Sequence, residues 1–175
     1  MTQKTQSYSQ TTDTPALVLE GGGFRGMFTS GVLDVLMERG LTGFSSVWGV
    51  SAGAMNAVSF KSGQIGRTMR IMLAYRDDKR FMSYLSFAKT GDIAGGEFVY
   101  ETVQEELDPC DNDAFEENPM PMFAVVSNVT FGTPDYLRIR KLPEDAVKVR
   151  ASASLPGVSR TLLIDGQRYL DGGTT

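Results

Sequence analysis

The chain of 175 residues contains no histidine. That removes imidazole as a general base among its own residues, and removes the commonest nitrogen ligand of protein metal sites. It contains one cysteine, Cys110. An internal disulfide is therefore excluded, which suits a reducing compartment. No apolar run approaches the roughly 18 residues that would span a bilayer. Residues 1–14 are mostly Thr, Gln and Ser and lack the apolar segment of a secretory signal. They are expected to form a disordered polar tail ahead of one domain over residues 15–175, in a cytoplasmic protein. Lys and Arg number 17 against 21 Asp and Glu, a net charge of −4, which disfavours nucleic acid as a partner.

The charges are unevenly placed. Residues 90–137 carry eleven acids and no Lys or Arg. Residues 61–89 carry seven bases: Lys61, Arg67, Arg70, Arg76, Lys79, Arg80 and Lys89. With Phe81, Tyr84, Leu85 and Phe87 nearby, this stretch is a candidate basic rim for peripheral contact with anionic headgroups. Two solvated faces of opposite sign explain the same pattern.

Short apolar runs alternate with helical patterns. A strand is expected at 16–19. A helix follows on Phe28, Val32, Val35 and Leu36, with Gly40 as its stop. A second strand at 46–50 leads into small-residue helix 52–61, closed by Gly63. Helices are expected at 65–75 and 97–107, with loops at 85–96 and 108–121. Strands at 122–129 and 136–140 read as antiparallel neighbours. A helix follows at 144–152, and Asp165-Gly166 marks a hairpin between 162–164 and 168–170. The early alternation implies an α/β domain with a parallel sheet and helices on both faces.

Three motifs carry chemistry. Gly49-Val50-Ser51-Ala52-Gly53 lies between an apolar strand and a helix. That is where a nucleophile elbow exposes a serine hydroxyl. The rival reading is an ordinary strand-to-helix turn with a capping serine. Gly21-Gly22-Gly23-Phe24-Arg25-Gly26 satisfies the G-x-G-x-x-G dinucleotide pattern. The following strand, however, ends at Ser51 rather than at the acid that would hold a ribose. The same loop can instead aim backbone N–H groups at a developing oxyanion. Asp171, followed by Gly172 and Gly173, closes a short strand. With no imidazole present, its carboxylate becomes a candidate base for Ser51. Lys61, Asp165 and Glu20 are the rivals: Lys61 is expected to point outward, Asp165 to serve a turn, and Glu20 to brace the glycine loop. The acidic 108–117 segment lacks the glycine and spacing of an EF-hand, so no calcium is expected. An α/β-hydrolase with a histidine further along the chain, and a nucleotide- or acyl-binding module built on the 21–26 loop, are the competing readings.

In order, Glu20-Gly21-Gly22-Gly23-Phe24-Arg25-Gly26, Gly49-Val50-Ser51-Ala52-Gly53, Ala151-Ser152-Ala153-Ser154-Leu155-Pro156-Gly157 and Asp171-Gly172-Gly173 resemble the four motifs of the patatin-like phospholipase family. Glu20 stands where the family more often has Asp. The resemblance implies a three-layer α/β sandwich with a mostly parallel central sheet, and a lipid acyl hydrolase that uses neither histidine, metal nor cofactor. Carried over position by position, Ser51 is the nucleophile and Asp171 the base. Gly21, Gly22, Gly23, Arg25 and Gly26 form and support the oxyanion hole, and Gly49 and Gly53 flank the elbow. The implied substrates are phospholipids, lysophospholipids or other acyl esters. Family domains continue past the Asp motif, so the chain is expected to be part of a longer protein.

Overall fold

A computed structural model of the chain describes residues 14–81, 91–92, 96 and 98–175. The strands are β1 (Leu17–Leu19), β2 (Val47–Val50), β3 (Met122–Asn128), β4 (Thr133–Ile139), β5 (Leu162–Ile164) and β6 (Gln167–Asp171). The helices are α1 (Gly26–Glu38), α2 (Ala52–Lys61), α3 (Arg67–Tyr75), α4 (Phe98–Leu107), α5 (Asn112–Glu117) and α6 (Ala146–Ser152). The helix expected over 97–107 is present as α4, but it winds as a π-helix. The 108–121 loop contains α5, which was not expected. Asp111 starts it by accepting from the Ala114 N–H at 3.0 Å, an N-cap that satisfies one orphan donor. Within the expected 85–96 loop, only Gly91, Asp92 and Gly96 are described.

All six strands belong to one sheet. β1, β2 and β3 are parallel neighbours, with Leu19 level with Gly49 and Val50 level with Val125. β4 pairs with β3 along its whole length and therefore occupies one edge of β3. The other edge is shared. β2 pairs with Met122–Val125, and β6 pairs antiparallel with Val126, Ser127 and Asn128. A strand has only two hydrogen-bonding edges, so β2 and β6 lie end to end along one of them. They run toward each other and stop at Val125 and Val126.

Alternation along the strands sorts the side chains into two faces. Leu19, Val47, Met122, Ala124, Val126 and Ile139 are buried. All but Val126 join Leu33 of α1, Ala54, Ala57 and Phe60 of α2 and Val149 of α6 in one core; Val126 packs with Ala151, Ile164 and Tyr169 in a separate cluster. Outside α2, residues Ile71, Phe98, Val99 and Val103 form a second cluster that includes Met55. α2 is thus enclosed between the sheet and an outer pair of helices, α3 and α4. A helix buried all round must be apolar or small on every side, which accounts for its run of Ala, Gly and Ser. The opposite sheet face carries Val18, Trp48, Phe123 and Tyr136. Trp48 stacks on Phe123 with ring centroids 4.1 Å apart and meets Tyr136 edge-on at 5.5 Å. Val18 is 71% exposed and Tyr136 56%. Among the described residues no helix of the core covers this face, so the helices expected on both faces are found on one.

Several residues of the expected basic rim are not at the surface. Lys61, Arg67 and Phe81 are buried. Lys61 donates to the Asn118 carbonyl and sits 4.6 Å from the centre of the Phe115 ring. Its ammonium is pushed below its usual pKa by burial, with Arg138 adding to the effect. Arg80 lies over the Phe98 ring and pairs with Asp78. Tyr84, Leu85, Phe87 and Lys89 lie outside the described residues, as do residues 1–13 of the expected tail.

Candidate active site

Ser51 sits between the end of β2 and the start of α2. Its backbone is held at φ 54°, ψ −124°, a sparsely populated conformation for a residue with a Cβ, costing about 1–3 kcal/mol. Packing enforces it. A Cβ on Gly53 would lie 2.3 Å from the Leu19 carbonyl oxygen, closer than any real Cβ contact. Only glycine lets α2 come this near β1. Gly49 is pressed against the backbone of Ala54 in the same way. The Ser51 N–H donates to Ser152 Oγ at 2.9 Å, and Ser152 Oγ donates to the Val125 carbonyl at 2.6 Å.

The glycine loop closes over this elbow. A Cβ built on Gly21 would stand 3.0 Å from Ser51 Cβ, and one on Gly26 would stand 3.0 Å from Ala52 Cβ. Asn56 Nδ2 donates to the Gly26 carbonyl at 2.9 Å, tying α1 to α2. Gly22 has φ 154° and lies under the Arg25 guanidinium, within 3.1 Å of Nε for a Cβ at that position. A single 3-10 turn, Gly23–Arg25, leads into α1. The N-terminal ends of α1 and α2 thus meet at Ser51, and both favour negative charge.

Asp171 ends β6, level with Val126, one position beyond the Val50–Val125 pair that ends β2. It is 2% exposed. Its N–H donates to the Ser154 carbonyl at 2.8 Å. Its own carbonyl accepts from Ser127 Oγ and Thr174 Oγ1, both at 2.8 Å. Oδ1 accepts from the Gly173 N–H at 2.8 Å. Oδ2 has no hydrogen-bond partner and is the one buried side-chain polar atom in that state among the described residues. Gly172 is fixed by close approach, since a Cβ there would lie 2.3 Å from the Val125 carbonyl oxygen. A Cβ on Gly173 would come within 3.9 Å of Val50 Cγ1, so the turn after β6 lies beside the end of β2.

The C-terminal end of α6 braces both sides. Ser152 holds the Ser51 amide, and the Ser154 carbonyl holds the Asp171 amide. Both lie in the Ala151-to-Gly157 motif, but neither was singled out in the sequence. Nothing local signals that their partners stand across the sheet. Of the rival bases, Lys61 is anchored at the far end of α2, and Asp165 occupies the β5–β6 turn with φ 49°. Glu20 is exposed, and its carbonyl lies against Gly53.

A cavity of about 140 Å³ opens beside Ser51, lined by Gly23, Phe24, Met27, Met55, Tyr100 and Leu155 among others. Its walls are mainly apolar side chains. Tyr100 was not anticipated as a site residue. Burial pushes its phenol pKa up, Arg150 opposes this, and the charges of Asp171 and Asp92 add to it. Among the described residues no group of three or more His, Cys, Asp or Glu could hold a metal ion. No helix among them is long and apolar enough to cross a membrane.

The patatin-like phospholipase family profile matches residues 17–175. The chain belongs to that family. It is 30% identical over 163 residues to the uncharacterised protein YjjU of Escherichia coli, covering 90% of this chain and 45% of the relative. It is also 30% identical over 169 residues to the uncharacterised NTE family protein Rv1063c of Mycobacterium tuberculosis, covering 90% and 42%. Lysophospholipase NTE1 of Mycosarcoma maydis is 27% identical over 164 residues, 90% of this chain and 8% of the fungal protein. The chain thus spans less than half the length of these relatives. The fold is similar to that of VipD from Legionella pneumophila, with a TM-score of 0.50 at 15% identity, covering 92% of this chain and 46% of that one.

Proposed function

We propose that this patatin-like domain is a serine esterase that hydrolyses acyl esters of phospholipids or lysophospholipids through a Ser51–Asp171 dyad. The observation that carries the reading is the junction on β3. A strained serine and a buried aspartate with one unsatisfied oxygen end two strands on the same edge. A buried acceptor left unpaired costs about 1–3 kcal/mol, and such a cost is kept where chemistry uses the group. No hydrogen bond joins Ser51 Oγ to Asp171 Oδ2 in this structure. Such contacts are often long without substrate and tighten in the Michaelis complex.

In the proposed reaction Asp171 takes the Ser51 proton as Oγ attacks the ester carbonyl. The glycine loop and the first turn of α2 supply backbone N–H groups to the oxyanion, each worth about 3 kcal/mol in the transition state. Protonated Asp171 returns the proton to the leaving alcohol oxygen. It then deprotonates water, which attacks the acyl-enzyme, releases the fatty acid and restores the Ser51 hydroxyl. The cavity beside Ser51 receives the acyl chain. Phe24 and Leu155 line it and are about half exposed, in keeping with peripheral contact at a lipid surface. Family membership and the printed name of the fungal relative, a lysophospholipase, support the lipid ester class.

A fluorophosphonate probe tests the dyad. Covalent labelling is expected in the wild type, absent in Ser51→Ala and largely lost in Asp171→Asn. Full labelling in Asp171→Asn would assign the base elsewhere.

A further inference from the structure

A second cavity, of about 70 Å³, lies between α2, α3, α4 and α6. Met55, Thr68, Met72, Phe81 and Tyr100 border both cavities, so a single layer of side chains separates them. Two of these five are methionines, whose unbranched chains change shape at low cost. The Tyr100 hydroxyl rests on the Met55 sulfur at 3.8 Å, a weak contact that does not lock the wall.

The far cavity has its own character. Val58, Ile71, Leu142 and Val149 line it and not the near one. So do Ser59, Arg67 and Gln104, which form a polar end. Arg67 is 2% exposed. Its guanidinium donates to Gln104 Oε1 at 2.8 Å and to the Asp108 carbonyl at 2.6 Å. Ser51, Met55 and Ser59 follow at one-turn spacing along α2, so nucleophile, wall and far cavity lie in line over roughly 12 Å.

We propose that the far cavity is an acyl-length gauge. The tail of a medium-length straight chain passes between Met55 and Met72 into the apolar part of the chamber. The Arg67 cluster stops anything longer, because a methyl terminus pressed against it would disrupt hydrogen bonds it cannot replace. This rests on the esterase reading and adds the acyl class to it. The preferred substrates are lipid esters of that class whose acyl chain is of medium length, over those with short or long chains.

The test compares kcat/KM for p-nitrophenyl butyrate, octanoate and palmitate in the wild type and in Ala146→Leu. Ala146 lines the far cavity alone. In the wild type octanoate should exceed butyrate on the order of a hundredfold, from the four added methylenes buried, and should exceed palmitate. Ala146→Leu should lower the octanoate-to-butyrate ratio by at least about threefold. A ratio that does not move overturns the gauge and leaves the esterase standing. In parallel, octanoate displaces a fluorescent fatty acid from Ser51→Ala with and without Ala146→Leu. Octanoate binding that weakens in the double variant, alongside a wild type that hydrolyses no ester, removes the esterase and keeps the chamber. Should Ala146→Leu fail to fold, Ile71→Ala enlarges the chamber instead. It should raise the palmitate-to-octanoate ratio, and an unchanged ratio overturns the gauge.

Discussion

The two strand ends that meet on β3 are built on opposite principles. At the end of β2 the strain is in the backbone. Ser51 is held at positive φ, while its amide is satisfied by Ser152. At the end of β6 the backbone is relaxed. Asp171 has φ −49°, ψ 130°, and both its amide and its carbonyl are satisfied. Here the unsatisfied group is in the side chain, at Oδ2. The serine is made distinctive by its immediate neighbours in sequence. The aspartate is made distinctive by where the sheet puts it.

That contrast can be broken at either end. The largest effect is expected on turnover: Asp171→Asn should lower kcat by about 10²–10⁴-fold, the range for loss of a general base. It should leave the melting temperature nearly unchanged, because the amide oxygen can still accept from Gly173 while an unpartnered amide NH2 replaces the unpartnered carboxyl oxygen. Loss of folding in step with activity would assign Asp171 a structural role. Next comes Gly53→Ala, which should cost about 3 kcal/mol, the upper range for overpacking an interior. Chemical denaturation would measure it, and a near-neutral result would mean that β1 and α2 are not pressed together as described. Ser152→Ala should cost about 2 kcal/mol, since it leaves the Ser51 amide buried without a partner. It should also lower labelling of Ser51. Stability lost without loss of labelling would separate the brace from the elbow.

The smallest effect concerns pH. Asp145 begins α6, the helix that braces both ends. Burial pushes its carboxyl pKa up, but hydrogen bonds from Lys148 and from the Arg140 and Lys141 amides outweigh this and hold it low. A carboxyl lower in the folded than the unfolded state contributes stability above its unfolded value, near 3.9. That contribution is lost as pH falls through the folded value. Melting curves should therefore show the wild type losing stability below about pH 4 more steeply than Asp145→Asn. Parallel acid profiles would remove Asp145 from the account.

Local features were the legible ones. The bounds of α2, the elbow at Ser51 and the Asp165-Gly166 turn follow from short-range steric rules, and glycine placement encodes those directly. The parallel strands β1 to β3 and the helices on one face of the sheet were legible from alternation, whereas the helices expected on the other face are not found among the described residues. The shared edge of β3 was not, because register between β2 and β6 is set by packing across the sheet rather than by either strand's composition. Ser152 and Ser154 were invisible as braces for the same reason. Lys61 was expected to point outward because a charged residue ending a helix usually does. Its burial depends on Phe115 and Asn118, from a segment read as an acidic loop. The π winding of α4 left no mark in its composition.

The head-on meeting of β2 and β6 also bears on the order in which activity arises. The turn itself is made by β1, β2 and α2, within residues 17–61, while its amide is held by Ser152. The proposed base docks only after β3 has formed and the chain has come back through β6. The Ser51 brace and the proposed base thus both come from residues 152–171, far along the chain from the turn they serve. In the proposed mechanism Ser51 has no proton acceptor until β6 is seated.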